Sequence, residues 1–294
     1  MSALTMRVLF GASLVGALFL FFSTDAAAYC RTTTCDPSQG NCTQNASGCI
    51  RDGVPLVWKT SPITFRFSAA GSTKLDSVSA RAAIRRAFDA WSNVQCSKGR
   101  TSLRFVEGSD IIGTIADTAE GLANFGIYYR DDQWPHDNAE ESIALTTQTY
   151  GKTSGTIDTA VLEINTANNT FAITDEEKGI DLTAVVTHEV GHYIGLAHSP
   201  NPDSIMVARY CQADSSETSG RCTGGIDRAR ALADDDTAAV CAIYPPGSTS
   251  SSTTAPTAGC TTSALYLPGG EAPFVGAGAL FAFAALIRRR RARA

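Results

Sequence analysis

His188-Glu189-Val190-Gly191-His192-Tyr193-Ile194-Gly195-Leu196-Ala197-His198 decides how the rest of this chain is read. The pattern is H-E-x-x-H-x-x-G-x-x-H. Residues four apart share one face of an α-helix, so His188 and His192 can point at a single ion. Glu189 lies one position on, beside that ion rather than bound to it. Gly195 can take a positive φ without steric cost, end the helix and turn the chain back. That turn brings in His198 as a third ligand. Three imidazoles and one open position are the donor set of a catalytic zinc ion, whereas a closed set of four would mark a structural one. The whole chain has four histidines, and three of them lie here.

Outward from the motif, the pattern is that of a mixed domain. Asp181 is a good N-cap for the helix carrying the first two histidines, and Leu182, Val185, Val186 and Val190 give it an apolar face. Ser142–Tyr150 and Ala160–Asn165 are rich in β-formers and read as strands. Val57–Phe67 ends in an alternation that puts Ile63, Phe65 and Phe67 on one face. Leu103–Val106 reads as a second strand, with short ones expected at Asp110–Ile115 and Gly126–Tyr129. Asp76 to about Val94 reads as a helix, capped by Asp76 or Ser77, with Val78, Ala82, Ile84, Ala87, Phe88 and Trp91 at helical spacing. Residues 130–141 form a polar loop holding His136, which reads as solvated rather than as a ligand. Residues 199–230 read as a long loop, and about Asp227 to Tyr244 as a last helix.

The two ends have different compositions. Residues 1–28 carry Arg7, an apolar run from Val8 to Phe22 and the small residues Ala26-Ala27-Ala28, the layout of a secretory signal peptide. Residues 29–53 form a Cys-rich N-terminal segment whose role is not legible. Residues 246–259 are a Pro/Ser/Thr-rich linker. Residues 260–294 hold Cys260, the apolar stretch Phe274–Ile287 and the run Arg288–Arg291. Fourteen apolar residues are marginal for a membrane span.

Nine cysteines suit an oxidising compartment. Eight fall before the linker, enough for four disulfides with 105 connectivities. Proximity favours pairing among Cys30, Cys35, Cys42 and Cys49, and of Cys211 with Cys222, which leaves Cys96 for Cys241. The formal charge is −5. Of 24 basic residues, 18 remain once Arg7 and the five terminal arginines are set aside; of 29 acidic ones, 27 remain without Asp25 and Glu271. The middle of the chain therefore carries about −9, which opposes nucleic-acid binding.

The motif resembles that of the metzincin metalloproteases, and within them the matrixins. Ser199 follows the third histidine as in matrixins. Met206, within Ser204-Ile205-Met206, matches the Met-turn beneath the metal. Leu232-Ala233-Asp234-Asp235-Asp236 with Val240, Ile243 and Tyr244 resembles the family's final helix, and the helix through Ile84, Phe88 and Trp91 its first. The resemblance covers roughly residues 54–245. It implies an α+β, zincin-like catalytic domain with a twisted mixed five-stranded sheet and three main helices. It implies zinc on His188, His192 and His198, Glu189 as catalytic base, Met206 as a floor and not a ligand, and an edge strand at Ala144–Tyr150 that pairs with an extended peptide. No cysteine-switch motif is present, and the histidines of the family's second, structural zinc site are missing, so one zinc is expected. Acidic residues admit Ca2+ as well, although no loop spells a calcium site. Tyr210, four after Met206, does not match the zinc-reaching tyrosine of astacins. The C-terminus resembles tripartite Cys–hydrophobic–Arg sorting tags of the MYXO-CTERM type, which implies a bacterial exported protein processed near Cys260, its tag transiently in the membrane.

These readings converge on a monomeric, secreted or surface-displayed zinc-dependent endopeptidase acting on protein or peptide substrates. The alternative is a non-catalytic, zinc-stabilised surface adhesion protein, which Glu189 speaks against.

Overall fold

The computed structural model describes residues 29–37, 40–113, 126–210, 230–247 and 258–266. The expected leader, most of the linker, the apolar and arginine-rich C-terminal stretch, Cys211 and Cys222 lie outside them. In chain order the elements are β1 (Ile63–Phe65), α1 (Ser77–Ser92), β2 (Gln95–Cys96), β3 (Gly99–Arg100), β4 (Phe105–Glu107), β5 (Ile127–Tyr129), β6 (Ser142–Gly151), β7 (Ile157–Ile164), β8 (Phe171–Ala172), β9 (Ile180–Asp181), α2 (Leu182–Tyr193), α3 (Asp234–Ile243) and β10 (Ala258–Tyr266).

The architecture is mixed α/β, with three helices and several sheets among the described residues. The largest sheet runs β10-β6-β7-β5. β6 is antiparallel to both neighbours, and β5 is parallel to β7. β1 pairs in parallel with β4, and the Phe67–Ile127 bridge links that pair to β5. The stretch Ala144–Tyr150, expected as an open edge, is covered by β10, a strand that the linker-like and tag-like composition around it had concealed.

α1 starts where Asp76 Oδ1 accepts the Ser79 N–H at 2.9 Å, satisfying one of the free amides of the first turn. Its buried face is Ala80, Ala83, Ile84, Ala87, Phe88 and Trp91. Val78 and Ala82 do not belong to it, and Val78 is 77% exposed. Six and two residues before Ile84, they fall well round the helix from it. Phe88 stacks on Phe65 at 4.2 Å between centroids and meets Phe105 and Tyr193 edge-on. These ring contacts join α1, the β1–β4 pair and α2 in one apolar core. The Trp91 indole N–H, which needs a partner once buried, donates to Thr187 O of α2 at 2.8 Å.

The last helix begins at Asp234 rather than near Asp227; residues 231–233 are not helical, and 227–229 lie outside the described residues. The Ala233 N–H donates to the Asp236 carboxylate at 2.8 Å, and three aspartates fill the first turn, where the positive end of the helix dipole favours them.

Three disulfides are present among the described cysteines: Cys30–Cys49, Cys35–Cys42 and Cys96–Cys241. The last ties the hairpin after α1 to α3. The N-terminal segment, silent in sequence, lies along the loop that leads to His198. Thr32 N donates to Gly195 O at 3.0 Å, Thr32 Oγ1 to Leu196 O at 2.9 Å, and Ala197 N to Cys30 O at 3.0 Å.

Candidate metal centre

α2 holds the first two histidines and the glutamate, and all twelve of its residues are buried. Asp181 caps it, accepting the Ala184 N–H at 2.9 Å through Oδ1 while Oδ2 takes the Arg230 guanidinium at 2.6 Å. The Asp181 N–H donates to the Tyr210 hydroxyl at 2.8 Å, which places Tyr210 at the start of α2. At the other end Ile194 closes the helix and Gly195 turns the chain at φ +96°. A Cβ on Gly195 would lie 2.4 Å from Leu56 O, so both the turn and the close approach call for glycine.

That turn brings His198 to the other two. One ring nitrogen from each of His188, His192 and His198 lies within 4.8 Å of the others, and among the described residues this is the group that could hold a metal ion. His188 Nδ1 is 2.7 Å from Ile205 O and His192 Nδ1 is 2.8 Å from Leu196 O. A carbonyl oxygen only accepts, so each Nδ1 carries the proton and each Nε2 presents a lone pair. The two Nε2 atoms are 3.0 Å apart. Lone pairs at that separation repel unless a cation lies between them, so the donor set fits a metal ion. Burial, and then the charge of His198, holds His192 well below the ordinary histidine range, which favours the neutral form a metal needs.

The carbonyl partners are themselves held. Asp236 accepts the Ile205 N–H at 2.8 Å and the Ser204 hydroxyl at 2.5 Å; Asp235 accepts the Ser199 hydroxyl at 2.8 Å. The first turn of α3 thereby fixes the loop 199–206, whose Ile205 carbonyl orients His188. Met206 packs beneath α2: a Cβ on Gly191 would lie 2.1 Å from its Sδ.

Glu189 is fully buried. Its Oε2 accepts the Thr146 hydroxyl of β6 at 2.6 Å, and its Oε1 has no hydrogen-bond partner. Burial pushes the Glu189 carboxyl up to about 8, against the pull of the Thr146 hydrogen bond. A carboxyl poised near neutrality can both take and give a proton.

His136 stands with Glu163 instead of the triad. Its Nε2 is 3.0 Å from Glu163 Oε2, whose other oxygen takes Arg130 Nε at 2.5 Å. It is thus a hydrogen-bond partner of a buried carboxylate, not a merely solvated loop residue. Thr146 is the residue at the centre that the motif did not point to. Its one available signal was an even-numbered place in a β-rich run.

Residues 57–245 match the family model for matrixin. The chain is 30% identical over 195 residues to "Matrix metalloproteinase-C" of Caenorhabditis elegans, covering 66% of this chain and 30% of that protein. It is 30% identical over 148 residues to "Metalloendoproteinase 4-MMP" of Arabidopsis thaliana, covering 49% and 38%. Over 37 residues it is 54% identical to "Matrilysin" of Felis catus, covering 13% and 14%. The chain spans less than two fifths of the length of each of these relatives. With the match running from the first strand through α3 and enclosing the three-histidine centre, the chain belongs to the matrixin family.

Proposed function

We propose that the protein is a zinc-dependent endopeptidase, with His188, His192 and His198 holding one zinc ion and Glu189 acting as the base. The observation that carries this reading is Glu189 itself: a wholly buried carboxyl beside three converging imidazoles, one oxygen pinned by Thr146 and the other without a partner. A buried acid left half-satisfied is costly and is retained where chemistry uses it. An adhesion protein needing zinc for stability alone would have no use for it.

Zinc held by His188, His192 and His198 would polarise the scissile carbonyl and lower the pKa of a water toward neutrality. Glu189 accepts the proton that this water loses as its oxygen attacks the carbonyl carbon, and then delivers the proton to the leaving amine. Thr146 holds the carboxyl in one orientation. Ile205 O and Leu196 O keep the imidazoles in the ligating tautomer. The exported location, the leader at 1–28 and the tag at 260–294 belong to the same proposal, supported by the disulfides.

The test is peptide hydrolysis by the zinc-loaded full-length chain, with Glu189→Ala alongside. The variant is expected to bind zinc normally and to lose about 1,000-fold or more in kcat. Chelation should abolish activity and zinc should restore it. Equal rates for wild type and Glu189→Ala would sink the reading.

A further inference from the structure

We propose that β10, Ala258–Tyr266, is the site's own occupant: the C-terminal segment pairs with the edge of β6 that an incoming peptide would use, and competes with substrate in cis. The proposal rests on the reading of the site as a peptidase. β6 has β7 on one side, so a substrate strand could be added only on the other. β10 takes that side along the whole strand, antiparallel, from Ala258 opposite Gly151 to Tyr266 opposite Ser142. Directly opposed residues of an antiparallel pair project to the same face of the sheet. Thr146 reaches Glu189 from β6, so its face looks on α2 and the metal centre. Ser263 is opposite Thr146, and Leu265 is opposite Ala144, on that same face. Leu265 is 2% exposed and belongs to the core cluster that includes α2 residues. The backbone from Ser263 to Leu265 therefore crosses the sheet edge beside the residue that holds the proposed base.

The segment's chemistry suits the place. Ala-Gly-Cys-Thr-Thr-Ser-Ala-Leu-Tyr carries no charge and is extended throughout its length. Its side chains opposite Thr146 and Ala144 are small polar and apolar, so neither brings a charge into the buried face. Joined to α3 by a short tether, it faces β6 at an effective concentration on the order of millimolar, so modest intrinsic affinity is enough to fill the edge.

The experiment compares the zinc-loaded full-length chain with Leu265→Asp and, separately, with Ser263→Pro. The first puts a charge in an apolar niche, and the second puts a ring into the ladder and removes an N–H. Hydrogen exchange of the β6 amides that face away from β7 is expected to quicken at least about tenfold in both variants while α2 amides stay protected. Hydrolysis of a fluorogenic peptide should rise about tenfold in kcat/KM, mainly through KM. Added synthetic peptide Thr261–Gly269 should raise KM again with kcat unchanged. Unchanged β6 exchange in both variants, with α2 protected, overturns the pairing. A freed β6 with unchanged KM in an active enzyme overturns the competition. A freed β6 with no hydrolysis by any of the three proteins upholds the pairing and sinks the peptidase reading instead.

Discussion

α1 and α2 both start on an aspartate that accepts the amide three residues on, Ser79 for Asp76 and Ala184 for Asp181. Beyond the first turn they diverge. α1 keeps a face in solvent, where Arg81 pairs with Asp110 and Arg85 with Glu107. α2 has no such face. Its polar groups find partners inside the protein: Thr187 Oγ1 on Thr183 O, His188 on Ile205 O, His192 on Leu196 O, Glu189 on Thr146. α1 turns much of its polar surface to solvent, whereas neighbouring chain satisfies the buried polar groups of α2 with the exception of Glu189 Oε1. A helix of the second kind can hold imidazoles and a carboxyl in fixed directions at low local dielectric, which is what metal ligation and proton transfer require.

The contrast can be broken hardest at the helix ends. α1 closes on Asn93 at φ −94°, an ordinary conformation, while α2 passes into Gly195 at φ +96° against Leu56 O. Gly195→Ala should cost about 4 kcal/mol in a urea titration, from backbone strain and the clash together, and weaken zinc binding as His198 shifts. Asn93→Ala should do far less. Next come the caps. Asp181→Ala leaves the buried Ala184 amide without its partner and removes one of the two carboxylates on the Arg230 guanidinium, Asp175 remaining, and should cost about 2 kcal/mol. Asp76→Ala, at a solvated cap, should lower the melting temperature much less. Comparable losses at the two caps would end the argument from burial.

The smallest effect belongs to the exposed pairs of α1. Arg85→Ala should cost about 0.5 kcal/mol or less, and less still in high salt. Hydrogen bonds from Arg85 and Arg81 hold the Glu107 and Asp110 carboxyls below their ordinary range. A depressed folded-state pKa means that their contribution is present above the unfolded-state value and lost as pH falls through the folded one, below about pH 4. Thermal melts of wild type and Arg85→Ala should therefore converge on acidification. A gap that widens instead would contradict the assignment.

What could be read from the chain was whatever local spacing encodes. The histidines at i and i+4, the Asp181 cap, the β6 and β7 runs and the α1 stripe from Ile84 to Trp91 are all short-range patterns. Cys96–Cys241 emerged by elimination, since the other pairs were close in sequence. The unread parts are tertiary. Nothing local told that α2 is buried all round, because His, Glu and Thr are ordinary surface residues until a neighbour satisfies them. Thr146 looked like any threonine in a strand. β10 looked like linker and tag, since Ala, Gly, Ser and Thr serve coil and strand alike when pairing is decided by the partner's edge. The first turn of α3 is tied by two aspartates, Asp235 and Asp236, to Ser199, Ser204 and Ile205, which lie more than thirty residues away.

The strip of chain from Cys30 to Thr32 has a bearing on how the molecule comes together. It meets the Gly195–Ala197 turn across a separation of 164 residues, so the turn that delivers His198 is flanked by chain made at the opposite end of the domain. Contacts of that span form slowly, because a long loop must close before they return anything. The helical pair of histidines can form early from local sequence alone. The third imidazole follows a turn hydrogen-bonded to residues 30–32, so the donor set draws on local helical spacing for two members and is buttressed by long-range contacts at the third.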